Sequence, residues 1–204
     1  MKKNIIITSL AALSIAALFA FKLGGVLPIG SHLPLPDLKV HDIQDRIISL
    51  KEVKQQNGLL VMFSCNSCPY VIKNQQRTQE ICRFAMQNKI GVILLNSSEA
   101  LRTGEESFDA MQRYGKSQEY FWYYAVDKDN TLANAFGASR TPECFLFTNE
   151  LKLAYHGAID DNPSDAQSVK RHHLKEAINE LLQGKVITVK ETRSVGCAIK
   201  KKEA

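Results

Sequence analysis

Two runs break the usual alternation of hydrophobic and polar positions in this chain. Leu59 to Phe63 and Ile90 to Leu95 carry no charged or strongly polar residue. Such runs suit strands covered on both faces, as in α/β proteins. Between them, Pro69 to Asn88 predicts a long helix, apolar at Val71, Ile81, Phe84 and Ala85 and polar at Lys73, Gln76, Arg77 and Glu80. Phe108, Met111 and Tyr114 recur at helical spacing and place a second helix over 103–114, with Gly115 as its stop. The aromatic run Tyr120 to Val126 reads as a strand with core side chains, and Asp129 to Phe136 as a short helix closed by Gly137. Upstream, Leu35 to Val40 and Arg46 to Leu50 predict two short strands, followed by a polar helical turn over 51–57. Downstream, Cys144 to Phe147 and Leu151 to Tyr155 flank a turn at Asn149, the pattern of a β-hairpin. The last helix, Val169 to Leu182, is amphipathic through Leu174, Ile178, Leu181 and Leu182. Alternating strands and helices closed by a hairpin and a helix predict an α/β fold, a central mixed sheet flanked by helices on both faces.

The N-terminus departs from this pattern. Lys2 and Lys3 precede an uncharged, mostly apolar stretch from Asn4 to Phe21. That is the layout of an export signal, and it is also barely long enough for a membrane anchor. We therefore expect residues 1–25 to be a signal peptide or an anchor, residues 26–184 to form the folded domain, and residues 185–204 to form an extended tail. Either N-terminal reading places the domain outside the cytoplasm, in a periplasm-like compartment, with a membrane tether through residues 4–21 under the second. The formal net charge of +5 is concentrated at the ends, at Lys2, Lys3, Lys22 and the tail lysines Lys200, Lys201 and Lys202. The body is balanced, so no nucleic-acid surface is expected.

Five cysteines stand at 65, 68, 82, 144 and 197. Cys65-Asn66-Ser67-Cys68-Pro69 follows the first apolar run and opens the long helical segment. A thiol at a helix start faces unpaired backbone N–H groups, which favour the thiolate that attacks disulfides. Cys82 lies roughly 21 Å of helical rise beyond Cys68 on one straight helix, and a disulfide needs Cα atoms within about 7 Å. It reads as a core residue. Cys144 follows Pro142 by two positions, so strand register decides whether it faces the pair or the core. Cys197 sits in a lysine-rich tail where no core explains it. A redox or tethering disulfide and a free or intermolecular thiol both remain open. No second CxxC or spaced Cys-His pair completes a zinc site, and the adjacent His172 and His173 point apart on a helix. No metal and no cofactor are expected.

Residues 61–71, Leu94-Leu95-Asn96-Ser97, residues 137–147 and Tyr155-His156-Gly157-Ala158-Ile159-Asp160-Asp161 together resemble the thioredoxin fold. More narrowly, they resemble CxxC-bearing, peroxiredoxin-like redoxins of the alkyl-hydroperoxide-reductase and thiol-specific-antioxidant superfamily. The similarity runs from about Leu35 to Gly184 and continues through Val195-Gly196-Cys197-Ala198-Ile199-Lys200. The resemblance implies a three-layer fold, a cis Thr141–Pro142 bond packed against the cysteine pair, and a backbone at Thr141 that holds a substrate strand beside Cys65. It also implies that Pro142 keeps metal ions off the thiols.

Two departures matter. The pattern P-x-x-x-T-x-x-C of a peroxidatic cysteine has Met62 for Thr and Gly58 for Pro here. The buried carboxylate of thioredoxins would fall at Leu59, so a proton acceptor for Cys68 must come from elsewhere. Glu143, Asp160 and Asp161 are weak candidates that read as solvated loop charges. The expected function is thiol-disulfide exchange with protein thiols and disulfides, coupled to an unidentified electron donor or acceptor. Cys65 is the expected nucleophile, Cys68 the resolving thiol, and Cys144 and Cys197 candidate accessory redox cysteines. A thiol peroxidase with an antioxidant role, and a non-enzymatic copper-binding redoxin that would use His156, are the alternatives.

Overall fold

The computed structural model describes residues 25–202. The expected signal or anchor thus lies, but for its last residue, outside the described residues. Among the described residues no helix is long and apolar enough to cross a membrane.

The centre is β3 (Leu59–Ser64), buried along its whole length. It pairs in parallel with β4 (Gly91–Asn96), which pairs in parallel with β5 (Tyr123–Val126). On its other side it pairs antiparallel with β7 (Glu143–Phe147), which forms a hairpin with β8 (Leu153–Gly157). The hairpin of β1 (Lys39–Asp42) and β2 (Ile47–Ser49) joins at β5, giving a seven-stranded sheet of order β2-β1-β5-β4-β3-β7-β8. The expected mixed sheet flanked by helices is the fold observed.

Strand parity separates the layers. Leu59, Val61 and Phe63 point to α1 (Leu50–Val53) and α5 (Thr131–Phe136). Leu60 and Met62 point to α3 (Gln75–Gln87), α4 (Phe108–Ser117) and α6 (His173–Leu182). Phe63 is fully buried and meets Phe136 and Phe145 edge-on at 5.4 and 5.7 Å between ring centres. Burial of a ring of this size is worth about 1.5–3 kcal/mol. It anchors the strand end that leads into the cysteines.

Several boundaries differ from expectation. The helix over 69–88 is two, α2 (Pro69–Lys73) and α3, separated at buried Asn74. Its side-chain amide donates to the carbonyls of Tyr70 and Pro163, which stabilises the break. The first strand starts at Lys39 because Leu35 takes a left-handed turn conformation. The aromatics Tyr120, Phe121 and Trp122 precede β5 and pack on one another, tilted and edge-on. The second predicted helix begins only at Phe108, capped by Ser107, and residues 103–107 form turns. The hairpin turn is wider than expected because the Thr148 hydroxyl accepts the N–H groups of Glu150 and Lys152.

Close packing of β4 on the end of α1 sets a test. A Cβ at Gly91 would lie 2.0 Å from the Val53 carbonyl oxygen, which is backbone and cannot rotate away. Gly91→Ala is expected to destabilise the fold by about 1–3 kcal/mol, read as a lower urea midpoint with an unchanged slope.

Candidate active site

β3 runs directly into the cysteine motif, and Cys68 is the N-cap of α2 with Pro69 as its first residue. Proline has no N–H to leave unpaired there. The antiparallel register sets Phe63 opposite Glu143. The residues after Phe63 therefore run beside those before Glu143, and the cysteines meet Thr141 and Pro142. The Thr141–Pro142 bond is cis, as the resemblance implies. Cys65 Sγ lies 3.4 Å from Thr141 Oγ1, and Cys68 Sγ lies 3.3 Å from the Thr141 carbonyl oxygen.

Both cysteines are free thiols and both are buried. The hydrogen bond from the Cys65 thiol lowers Cys68 below the usual thiol range, and burial opposes it. The Cys197 thiol and the N–H groups of Val71 and Cys197 add to the lowering. The same bond to Cys68, then burial, pushes Cys65 up, while the Thr141 hydroxyl partly offsets the rise. The two thiols are thus pushed in opposite directions, Cys68 towards the thiolate and Cys65 towards the thiol.

A carboxylate lies beneath the motif. Glu106 is fully buried. Its oxygens accept the backbone N–H groups of Asn66 and Ser67, at 2.9 and 3.0 Å, and the Ser67 hydroxyl at 2.7 Å. The Asn96 side-chain amide also donates to it at 2.6 Å. Every partner donates, as an ionised carboxylate requires. Asn96 further donates to the Tyr124 hydroxyl, which donates to Asn66 Oδ1. Arg102 closes the network from outside, on the carbonyls of Glu106 and Asn96. The backbone donors expected to favour a Cys65 thiolate are thus taken by a negative group, and its charge adds to the rise at Cys65.

Sequence reasoning missed Glu106. A helix from Thr103 would have put it on a solvated face like Glu105, and nothing in the local pattern distinguishes the two. Glu143 and Asp160, read as solvated, are in fact buried. Glu143 accepts the N–H groups of Ser139 and Arg140 and pairs with His156 Nε2 at 2.8 Å. Asp160 pairs with Arg77 at 2.6 Å. Asp161 is exposed.

Of the predicted site residues, the structure brings together Cys65, Cys68, Thr141, Pro142 and Cys197. Cys197 packs against the pair from the tail. It does not bring Cys144 to them. Cys144 pairs with Met62, shares its parity, and lies fully buried with Cys82 in the layer under α3 and α6. Burial raises both of these thiols well above the usual range.

The family model for AhpC/TSA matches residues 31–156, more than half of the chain. The chain belongs to the AhpC/TSA family. No curated protein sequence matches it. Among solved structures it is similar to an uncharacterized conserved protein of Geobacillus kaustophilus, at 28% identity and a TM-score of 0.80, covering 87% of this chain and 94% of that one. A hypothetical protein of Sinorhizobium meliloti 1021 is similar at 27% identity and 0.79, over 88% and 98%. The thioredoxin domain of a thiol-disulfide oxidoreductase from Bacteroides vulgatus shares the fold at 15% identity and 0.53, over 64% and 88%. Within the AhpC/TSA family, this chain's Met62 is fully buried under α3, where P-x-x-x-T-x-x-C would place a hydroxyl.

Glu106→Gln keeps the shape and removes the charge, but turns amide hydrogens towards the N–H groups of Asn66 and Ser67. It is expected to cost about 1–3 kcal/mol of stability. Because the lost charge disfavoured thiolate at Cys65, the pH profile of Cys65 alkylation by iodoacetamide is expected to move to lower pH. A purely structural role would leave that profile in place.

Proposed function

We propose that this protein is a thiol-disulfide oxidoreductase acting outside the cytoplasm, with Cys65 and Cys68 as its redox pair and protein disulfides and thiols as its substrates. The observation that carries the reading is the convergence of both sulfurs on Thr141, at 3.4 and 3.3 Å. Such a pair can exchange electrons with a disulfide held along the Thr141 edge. AhpC/TSA membership supports thiol chemistry.

Cys65 attacks a substrate sulfur and forms a mixed disulfide, releasing the first substrate thiol. Its proton goes to the departing substrate sulfur. Cys68 then attacks Cys65 Sγ, and its proton goes to the second substrate sulfur, which leaves as a thiol. Two electrons pass from the dithiol to the substrate, and the pair becomes a disulfide. The Thr141 hydroxyl, in reach of Cys65, stabilises that sulfur while it carries charge. The reverse sequence oxidises a substrate dithiol.

Disulfide exchange is favoured over peroxide reduction by the apolar Met62 and by a second thiol that converges on the same threonine. Copper binding is disfavoured by His156, whose ring nitrogen is committed to Glu143. Among the described residues, no group of three or more His, Cys, Asp or Glu is arranged to hold a metal ion.

The test is trapping on the full chain. Reduced Cys68→Ala protein incubated with insulin is expected to retain an insulin chain on Cys65, found by mass mapping. Reduction of insulin disulfides should fall roughly 100-fold or more in either single variant. Absence of any adduct on an alkylatable Cys65, with peroxide consumption intact, would reverse the assignment.

A further inference from the structure

The edge at Thr141 is already occupied by the chain itself. β6 (Arg140–Thr141) pairs antiparallel with β9 (Cys197–Ala198), with Thr141 opposite Cys197 and Arg140 opposite Ala198. The tail reaches this place along a defined route. Lys190 and Thr192 bond to the backbone of His156, beside β8. Beyond β9, Ile199 is buried in the α1/α5 layer, its N–H donates to Ser139 O, and Lys200 O accepts from Ala100 N. Cys197 is therefore held between anchors on both sides. Its approach is close. A Cβ at Gly196 would lie 2.1 Å from Thr141 O and 3.3 Å from Pro142 N, so only glycine lets the tail cross there. The Gly196 carbonyl is also held by Arg140.

The outcome is a third sulfur at the pair. Cys197 is half-buried and packs with Cys65, Cys68, Val71 and Tyr70. The register sets it opposite Thr141, whose carbonyl oxygen lies 3.3 Å from Cys68 Sγ, so the tail thiol and the pair share one residue.

We propose that β9 is a built-in substrate strand and that Cys197 is a third redox cysteine, which exchanges with the oxidised pair to form a Cys68–Cys197 disulfide. This rests on the exchange activity proposed for Cys65 and Cys68. The Cys197 thiolate attacks Cys68 Sγ, the Cys68–Cys197 bond forms, and the Cys65–Cys68 bond breaks. Cys65 leaves as thiolate and takes the proton that Cys197 gave up. No electrons enter or leave, because the disulfide came from the substrate that oxidised the pair. The exchange returns Cys65 to the thiol form while the oxidising equivalent is stored at the tail. A protein substrate that needs the Thr141 edge must displace β9.

The test uses the full-length protein oxidised with diamide, quenched in acid, alkylated and digested with trypsin. Cleavage after Lys54, Lys73, Arg193 and Lys200 puts Cys65 and Cys68 on one peptide and Cys197 on another. The expected product is peptide 55–73 joined to peptide 194–200 through Cys68, with Cys65 alkylated. In Cys65→Ala the same link is expected in nearly every molecule, independent of protein concentration. Gly196→Val should abolish the link and raise Cys65 alkylation in the reduced protein about ten-fold or more, by removing the cover. A Cys65–Cys68 disulfide that forms and turns over while Cys197 is always alkylated overturns this inference and leaves the exchange activity standing. A Cys197 that links only between molecules in Cys65→Ala also overturns it. A Cys68–Cys197 link in Cys65→Ala, from a protein that never reduces insulin, supports the tail geometry while ending the substrate assignment.

Discussion

The antiparallel pairing of β3 with β7 is the constraint on which the site depends. Phe63 opposite Glu143 is the last shared rung, and beyond it the two segments lead into the cysteine motif and the Thr141 loop, which stay in contact. A shift of one residue would turn every side chain on β7 to the other face. Cys144 would then exchange core layers with the phenylalanines, and Glu143 would lose His156. The register is held by burial on both sides: Phe63, Phe145 and Phe147 fill one layer, and Met62, Cys144 and Leu146 the other. The same packing that stabilises the sheet thus sets two sulfurs against one threonine.

Around that geometry the electrostatics are divided. Cys68 collects donors, and Cys65 stands above a buried carboxylate that has taken the nearest backbone N–H groups. Glu106 reaches this position because residues 103–107 turn back under the motif instead of continuing the α4 helix. Its ion is stabilised by five donor contacts from Asn66, Ser67 and Asn96, the arrangement a buried charge requires. The two thiols of one short motif are thereby made chemically unlike, a difference that their shared residue type conceals.

The tail adds a second layer of control over access. Both sulfurs are buried while β9 is in place, although the motif lies at a strand end. The strand that covers them is short, and its contact is two residues long. Few backbone bonds hold a segment of this kind, so local opening is easier than unfolding of the domain. Ile199, buried in the α1/α5 layer, anchors the far side.

The fold class was legible from local pattern alone. Two uninterrupted apolar runs, helical spacing at Phe108, Met111 and Tyr114, and the turn at Asn149 each report on burial along a single element, and burial is written into residue type. The cysteine spacing and Thr141-Pro142 likewise pointed to the redox chemistry proposed here. What tertiary structure decided were relations between distant segments. The break at Asn74 depends on the Pro163 carbonyl, the burial of Glu143 on His156, and the position of Glu106 on N–H groups some forty residues away. Cys144 and Cys197 were both candidate accessory thiols, yet β-strand register sent one into the core and pairing with Thr141 brought the other to the sulfurs. Local sequence encodes which surfaces must be hidden. Which partners hide them is set by the closing of long loops, and no short-range pattern carries that information.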